Sequence, residues 1–236
     1  MITDTPIIQA RNLRKSFTDS TGVTEVLLGV DLTVYAGQTV ALIGASGSGK
    51  STLLALLAGL DDASAGELEV LGQSLQNLDE EARAALRCGQ LGFIFQNFQL
   101  IPYLSALENV QISLELAQSS QLAAQRLNHK AIQARALAAL EQVGLASRAH
   151  HTARILSGGE QQRVAIARAS VCQPKLIFAD EPTGSLDHAT GQKIEALLFD
   201  RVREQGTTLV LVTHDEALAA RCDVQYRVVA GKLSLA

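Results

Sequence analysis

The chain has 236 residues, 47% apolar and 19% charged, which excludes a disordered tail and supplies one core, or one core with an insertion. Lys and Arg number 20 against 24 Asp and Glu, so the net charge of −4 leaves no basic footprint for nucleic acid. The longest purely apolar run, near Leu53–Leu60, falls far short of the roughly 20 residues of a spanning helix, so the chain reads as soluble.

Met1–Pro6 carries no charged-then-apolar signal segment. Val30, Leu32 and Val34 alternate with Asp31, Thr33 and Tyr35, as in a half-buried strand. A turn at Ala36-Gly37 leads into Thr39–Ile43, a continuous apolar run suited to a parallel strand covered on both faces. A glycine loop follows, then a helix over Lys50–Leu60 that meets no breaker before Gly59. Leu68-Glu69-Val70 predicts a short edge strand, and Leu91–Phe95 another apolar strand.

Between Pro102 and Ala153 the chain is rich in Ala, Leu and Gln. Leu122, Leu127, Ala131, Ala134, Leu137, Leu140 and Val143 recur at spacings compatible with one helical face. The pattern is not sustained over enough heptads for a coiled-coil arm, which leaves a helical insertion with a solvated outer face. Leu176–Ala179 and Leu209–Val212 are buried-strand runs, with helical patterns at Gly191–Glu204 and Glu216–Arg221. Gln225–Val229 and Lys232–Leu235 flank Ala230-Gly231 as a hairpin. Strands alternating with helices imply an α/β fold with a parallel sheet. Cys88, Cys172 and Cys222 are too far apart in sequence for a paired motif and read as free thiols. His150-His151 lacks spaced partners for zinc and reads as surface loop.

Gly44-Ala45-Ser46-Gly47-Ser48-Gly49-Lys50-Ser51 matches G-x-x-x-x-G-K-[ST] between a buried strand and a helix. Glycines let successive N–H groups turn inward as an anion nest, and the helix start adds its positive end. Lys50 supplies a point charge to the β- and γ-phosphates, and the Ser51 hydroxyl is placed to ligate Mg²⁺. Asp180 and Glu181 stand where the run Leu176–Ala179 ends, and ligands bind outside the carboxyl ends of such strands. Asp180 can hold Mg²⁺ directly or through water, and Glu181 can polarise an attacking water. Gln96 and His214 end two further apolar runs and are candidates to face the γ-phosphate.

Leu156-Ser157-Gly158-Gly159-Glu160 opens another helix, Gln161–Ala169, and is either a second anion site or an N-cap supported by Glu160. Followed by Gln161-Gln162-Arg163-Val164-Ala165-Ile166-Ala167-Arg168-Ala169, it resembles the signature of ABC-type ATPases. The other motifs are in that family's order. Gly44–Thr52 resembles its Walker A loop, Gln96 its Q-loop glutamine and Ile177–Glu181 its Walker B strand with the catalytic glutamate. Ser185-Leu186-Asp187 resembles the D-loop, His214 the switch histidine, and Phe17 the aromatic that stacks on adenine, where Tyr is commoner. The segment Phe178–Asp187 resembles the group that includes LolD, MacB, FtsE and YbbA, with Ser185 in place of the usual Asn. Leu57–Ala63, Asn77–Arg87 and Thr207–Cys222 resemble the YbbA branch in particular. Arg154-Ile155 departs from the Gln or Glu that relatives often carry before the signature Leu.

The resemblance implies a P-loop (RecA-like) core with an N-terminal antiparallel β subdomain and an inserted helical subdomain. Residues 1–96 and 166–236 would form the core and 97–165 the insertion. It implies ATP and Mg²⁺, with Ser51, Gln96 and Asp180 near the metal. It further implies a head-to-tail homodimer in which Ser157, Gly158, Gly159 and Glu160 act in trans. A separate membrane permease with an extracytoplasmic domain would carry lipid, lipoprotein or hydrophobic substrates. The chain would then sit on the cytoplasmic face of the inner membrane, and Phe98–Leu104 would be the contact segment. Rival readings are a soluble ABC ATPase working on DNA or translation, which usually has two cassettes or long arms, and a nucleotide-gated switch. No N-K-x-D segment for guanine is present.

Overall fold

The computed structural model describes residues 6–20, 22–119 and 126–236. Met1–Thr5, read above for a signal segment, and Leu122 of the expected helical face lie outside them. In chain order the elements begin with β1 (Pro6–Asp19), β2 (Gly22–Tyr35), β3 (Thr39–Ile43), α1 (Lys50–Leu57), β4 (Ala65–Val70) and β5 (Gln73–Ser74). Next come α2 (Glu80–Arg87), β6 (Leu91–Phe95), α3 (Ala106–Ser119), α4 (His129–Gln142), α5 (Gly158–Ser170) and β7 (Leu176–Asp180). The chain finishes with α6 (His188–Gln205), β8 (Thr208–Thr213), α7 (Glu216–Ala219), β9 (Val224–Val229) and β10 (Lys232–Leu235). They divide into two compact units, one of residues up to 83 together with 208–236, the other of residues 84–207. No helix among the described residues is long and apolar enough to cross a membrane.

In the first unit, β2, β1, β4 and β5 form an antiparallel sheet in that order. The expected edge strand is therefore an inner one: β4 pairs with β1 on one side and with β5 on the other. The reason is a two-residue turn. Leu71 and Gly72 both have positive φ, 54° and 75°, so the chain reverses at once and Gln73 faces Val70. A leucine at the first turn position conceals that signal in the sequence.

The same unit holds β3 between β8 and β9, all parallel, with β10 antiparallel to β9. Every residue of β8 is buried, as expected of a strand covered on both faces. Helix α1 stops at Leu57, short of the expected Leu60. Gly59 adopts φ 63°, Gly59 N–H donates to Leu56 O, and Leu60 N–H donates to Ala55 O, each at 2.9 Å. That pair of bonds is a Schellman termination, which satisfies carbonyls the helix would leave open.

In the second unit β6 and β7 pair in parallel from Leu91↔Leu176 to Phe95↔Asp180. Helix α5 packs on β6, and α3, α4 and α5 pack together. The buried face of α4 is Ile132, Ala136, Ala139 and Leu140, continued by Val143. Of the expected face, Leu140 and Val143 are buried, while Ala131 and Leu137 are half-buried and Ala134 is exposed. A row stepping strictly by three drifts around a helix with 3.6 residues per turn; the row i, i+4, i+7, i+8 stays on one side.

Candidate nucleotide site

Each unit carries part of the constellation. In the first, β3 delivers the chain to loop 44–49, whose tip, Ala45, Ser46 and Gly47, is exposed. Gly49 caps α1 in the left-handed region, φ 104°, so Lys50, Ser51 and Thr52 form the first turn with their N–H groups toward the loop. Lys50 is buried and its Nζ donates to Gly44 O and Ala45 O, both at 2.9 Å. The ammonium is thus held against the loop that would receive the phosphates. Ser51 is exposed.

The hairpin of β9 and β10 backs this loop, a support the sequence does not announce. A Cβ on Gly44 would lie 2.3 Å from Val228 O, and Gly231 N–H donates to Ser48 O at 3.3 Å. Gly44→Ala must therefore push the loop off β9. We expect it to cost about 1–3 kcal/mol, seen as a lower urea midpoint at unchanged slope, and to weaken ATP binding in the same preparation. An unchanged midpoint would show that the loop is not seated on Val228.

Phe17 lies on β1 and is 48% exposed, so ring surface is available to a planar ligand. His214 is exposed between β8 and α7. Its neighbours fix that junction: Asp215 N–H donates to Thr213 Oγ1 at 3.0 Å, and Asp215 caps α7 through Ala217 and Leu218 N–H.

In the second unit β7 ends on Asp180, and Glu181 follows with φ 46°, a left-handed conformation unusual for a residue with a Cβ. Gly184 N–H donates to Glu181 O at 3.0 Å, closing the turn that bears the carboxylate. Such backbone costs about 1–3 kcal/mol and persists only where its surroundings impose it. One of those surroundings is Gln162 on α5, fully buried, whose Nε2 donates to Pro182 O at 2.6 Å. In the sequence Gln162 stands only as one residue of the run after Glu160. The signal was a carboxamide whose i+3 and i+4 neighbours, Ala165 and Ile166, are apolar, which makes a buried polar group in need of a partner.

Gln96 follows β6, and the structure brings it to Gly184 and Ser185. Ser185 Oγ donates to Gln96 O at 3.0 Å, and a Cβ on Gly184 would lie 2.9 Å from Gln96 Nε2. Beyond it, Phe98 and Gln99 are both left-handed, φ 58° and 47°. Arg168 on α5 donates to Phe98 O at 2.9 Å and Gln99 O at 2.5 Å. Buried Asn109 takes Ile101 N–H on its Oδ1 at 2.8 Å and donates to three carbonyls, those of Ile101, Leu104 and Ser105. Loop 98–104 is thereby tied by hydrogen bonds at both ends, while Ile101 and Tyr103 are 45% and 78% exposed. Desolvation lowers the Arg168 pKa.

Ser157 is the N-cap of α5 in a full capping box with Glu160. Ser157 N–H and Oγ both donate to Glu160 Oε2 at 2.9 Å, and Glu160 N–H returns a 3.4 Å bond to Ser157 Oγ. The bond from Ser157 N–H, with smaller help from the hydroxyl, Arg148 and Arg163, holds the Glu160 carboxyl below its usual pKa. Gly158 packs near Leu186 and Phe98, and a Cβ on Gly159 would meet Thr190 Cγ2 at 2.6 Å. Asp187 caps α6, accepting from Thr190 N–H at 3.0 Å, and its bonds to Thr190 lower its pKa. The three cysteines are free, with burial pushing Cys172 up to about 11 and Cys222 up to about 12.

Comparison with known proteins matches the ABC transporter family to residues 27–184. The chain is 54% identical over 227 residues to the ABC transporter ATP-binding protein YbbA of Escherichia coli (strain K12), covering 96% of each. It is 45% identical over 233 residues to the lipoprotein-releasing system ATP-binding protein LolD of Alcanivorax borkumensis, covering 99% of each. Among solved structures, the dimeric ATP-binding cassette MJ0796 in a post-hydrolysis state with ADP and Pi aligns with a TM-score of 0.87 at 36% identity, covering 96% of each chain. The expected α/β cassette fold and the expected group are both borne out. The chain belongs to the ABC transporter family, as an ATP-binding and ATP-hydrolysing subunit of the LolD and YbbA type.

Proposed function

We propose that two copies of this chain close head to tail on two ATP molecules and drive a separate inner-membrane permease with an extracytoplasmic domain. Its substrates are lipids, lipoproteins or other hydrophobic molecules, and the chain works at the cytoplasmic face as a peripheral subunit. The dimer reading draws on the dimeric cassette MJ0796 and the substrate reading on the lipoprotein-releasing protein LolD. The observation that carries the permease reading is loop 98–104, which offers exposed Ile101 and Tyr103 on a backbone fixed by Arg168 and Asn109. A rigid loop with apolar tips is a docking surface that loses little entropy on binding.

Within each composite site, Gly44–Thr52 cradle the phosphates and Lys50 exchanges loop carbonyls for β- and γ-phosphate oxygens. Phe17 stacks on adenine. Ser157, Gly158, Gly159 and Glu160 of one subunit meet the γ-phosphate bound by the other, since a helix N-terminus with a hydroxyl cap receives anions. Glu181 orients the attacking water, with Gln96, His214 and Asp187 completing the closed arrangement. Ser51 and Asp180, with Gln96, supply hydroxyl, carboxylate and amide oxygens. These hard donors fit Mg²⁺, which needs few protein ligands beside nucleotide phosphates, and that ion would neutralise charge on the phosphates. We assign residues 1–96 and 166–236 to the core and 97–165 to the helical subdomain.

The test is cross-linking from Tyr103→Cys in native membranes. The expected product is one integral membrane protein with a large extracytoplasmic domain, lost when Arg168→Met frees the loop. Recovery of no membrane protein would favour a nucleotide-gated ATPase without a transport role.

A further inference from the structure

We propose that Lys15 is a positioning residue for adenine, acting through the ring of Phe17; the inference rests on Phe17 being the base-stacking residue. Lys15 is a buried cation, 8% exposed, on the inward side of β1 with Leu13. Its Nζ bonds Asp61 Oδ1 and Asp62 O, each at 2.7 Å, and lies 4.8 Å from the centroid of the Phe17 ring. The distance is that of a cation–π contact, which strengthens when the cation is desolvated. The pairing register shifts between Lys15 and Ser16. Past the shift, Phe17 is half-exposed although two residues from a buried Lys.

The consequence is chemical as well as geometric. An ammonium on one face of a benzene ring draws π-density toward itself and fixes the ring's plane. The free face becomes poorer in electrons, which favours an electron-rich purine over water. The anchor of the ammonium stands on the segment that leaves the phosphate-binding helix. Asp61 and Asp62 follow the termination of α1, and Ser64 N–H donates to Arg14 O at 2.9 Å while Ser16 N–H donates to Ser64 Oγ at 3.0 Å. One helix, about 12 Å long, therefore begins at Lys50 under the phosphates and ends at Leu57, four residues before the carboxylate that holds the base platform.

The experiment titrates the full chain calorimetrically with ATP and with tripolyphosphate, which has the phosphates and no base. Lys15→Met should weaken ATP about fivefold and leave tripolyphosphate unchanged, and Lys15→Arg should restore ATP. Asp61→Asn, which releases the ammonium while keeping it charged, should weaken ATP in the same selective way and carries the test if Lys15→Met does not fold. Phe17→Ala should lose at least as much ATP affinity, and adding Lys15→Met to it should lose nothing more. Unchanged ATP affinity in Lys15→Met and Asp61→Asn, or equal loss for both ligands, overturns the role of Lys15. Unchanged ATP affinity in Phe17→Ala overturns the stacking reading instead, so the two failures are distinct.

Discussion

Glu181→Gln is expected to stop turnover and keep ATP bound. Gln has the size of Glu and accepts the same left-handed backbone, so the turn closed by Gly184 N–H should survive and the unfolding free energy from urea titration should stay within about 0.5 kcal/mol of the parent. What the variant loses is a carboxylate able to take up the proton of an attacking water. A positioned general base contributes roughly 10²–10⁴-fold, and steady-state phosphate release should fall by that factor. ATP binding should not fall, because the phosphate loop and Lys50 are untouched. With binding intact and hydrolysis blocked, the closed dimer should accumulate, and gel filtration with ATP should show a species of twice the mass. Normal phosphate release from this variant would remove Glu181 from the reaction and shift attention to His214.

The residues proposed to touch phosphate are legible because their chemistry needs a fixed local pattern. Gly44, Gly49, Lys50 and Ser51 are close in sequence, and the strand and helix on either side are strongly patterned. What supports them was not legible. Val228 backs Gly44 from 184 residues away in sequence through a bare carbonyl, which any residue supplies. Gln162 and Arg168 act by bonds to distant main-chain carbonyls, and Asn109 by bonds to carbonyls just before it in the chain, so their partners leave no trace in side-chain identity. Lys15 was hidden differently: a lysine in a strand ordinarily marks the solvent face, and only the placement of Asp61 turns it inward. The strand β4 reads as an edge in the sequence because its turn uses Leu71 where Asn or Gly usually signals a reversal.

Two inactive proteins should regain one working site when mixed. Lys50→Ala removes the ammonium from the phosphate loop, and Ser157→Arg puts a long cation where the capping hydroxyl stands. Each homodimer has both of its composite sites damaged, and neither should trap nucleotide. In a mixed dimer the damage is unevenly shared if the signature acts across the interface. One site then joins the Lys50→Ala loop to the Ser157→Arg signature and is doubly broken. The other joins two intact halves. With Glu181→Gln added to both chains to block release, the mixed dimer should occlude one ATP, against two for the parent bearing Glu181→Gln alone and none for either homodimer. Sites completed within a single chain predict none in every mixture, because each chain carries its own lesion. The capping box makes the comparison clean. Ser157 is exposed at the start of α5, so the helix should lose about 1 kcal/mol of capping without losing its fold. Circular dichroism of the isolated Ser157→Arg chain checks that, and mant-ATP binding to the same monomer checks that its own phosphate loop still works. One occluded ATP would therefore place the partner's signature on this chain's nucleotide, whereas none, with both controls intact, would return Ser157 to the role of a helix cap alone.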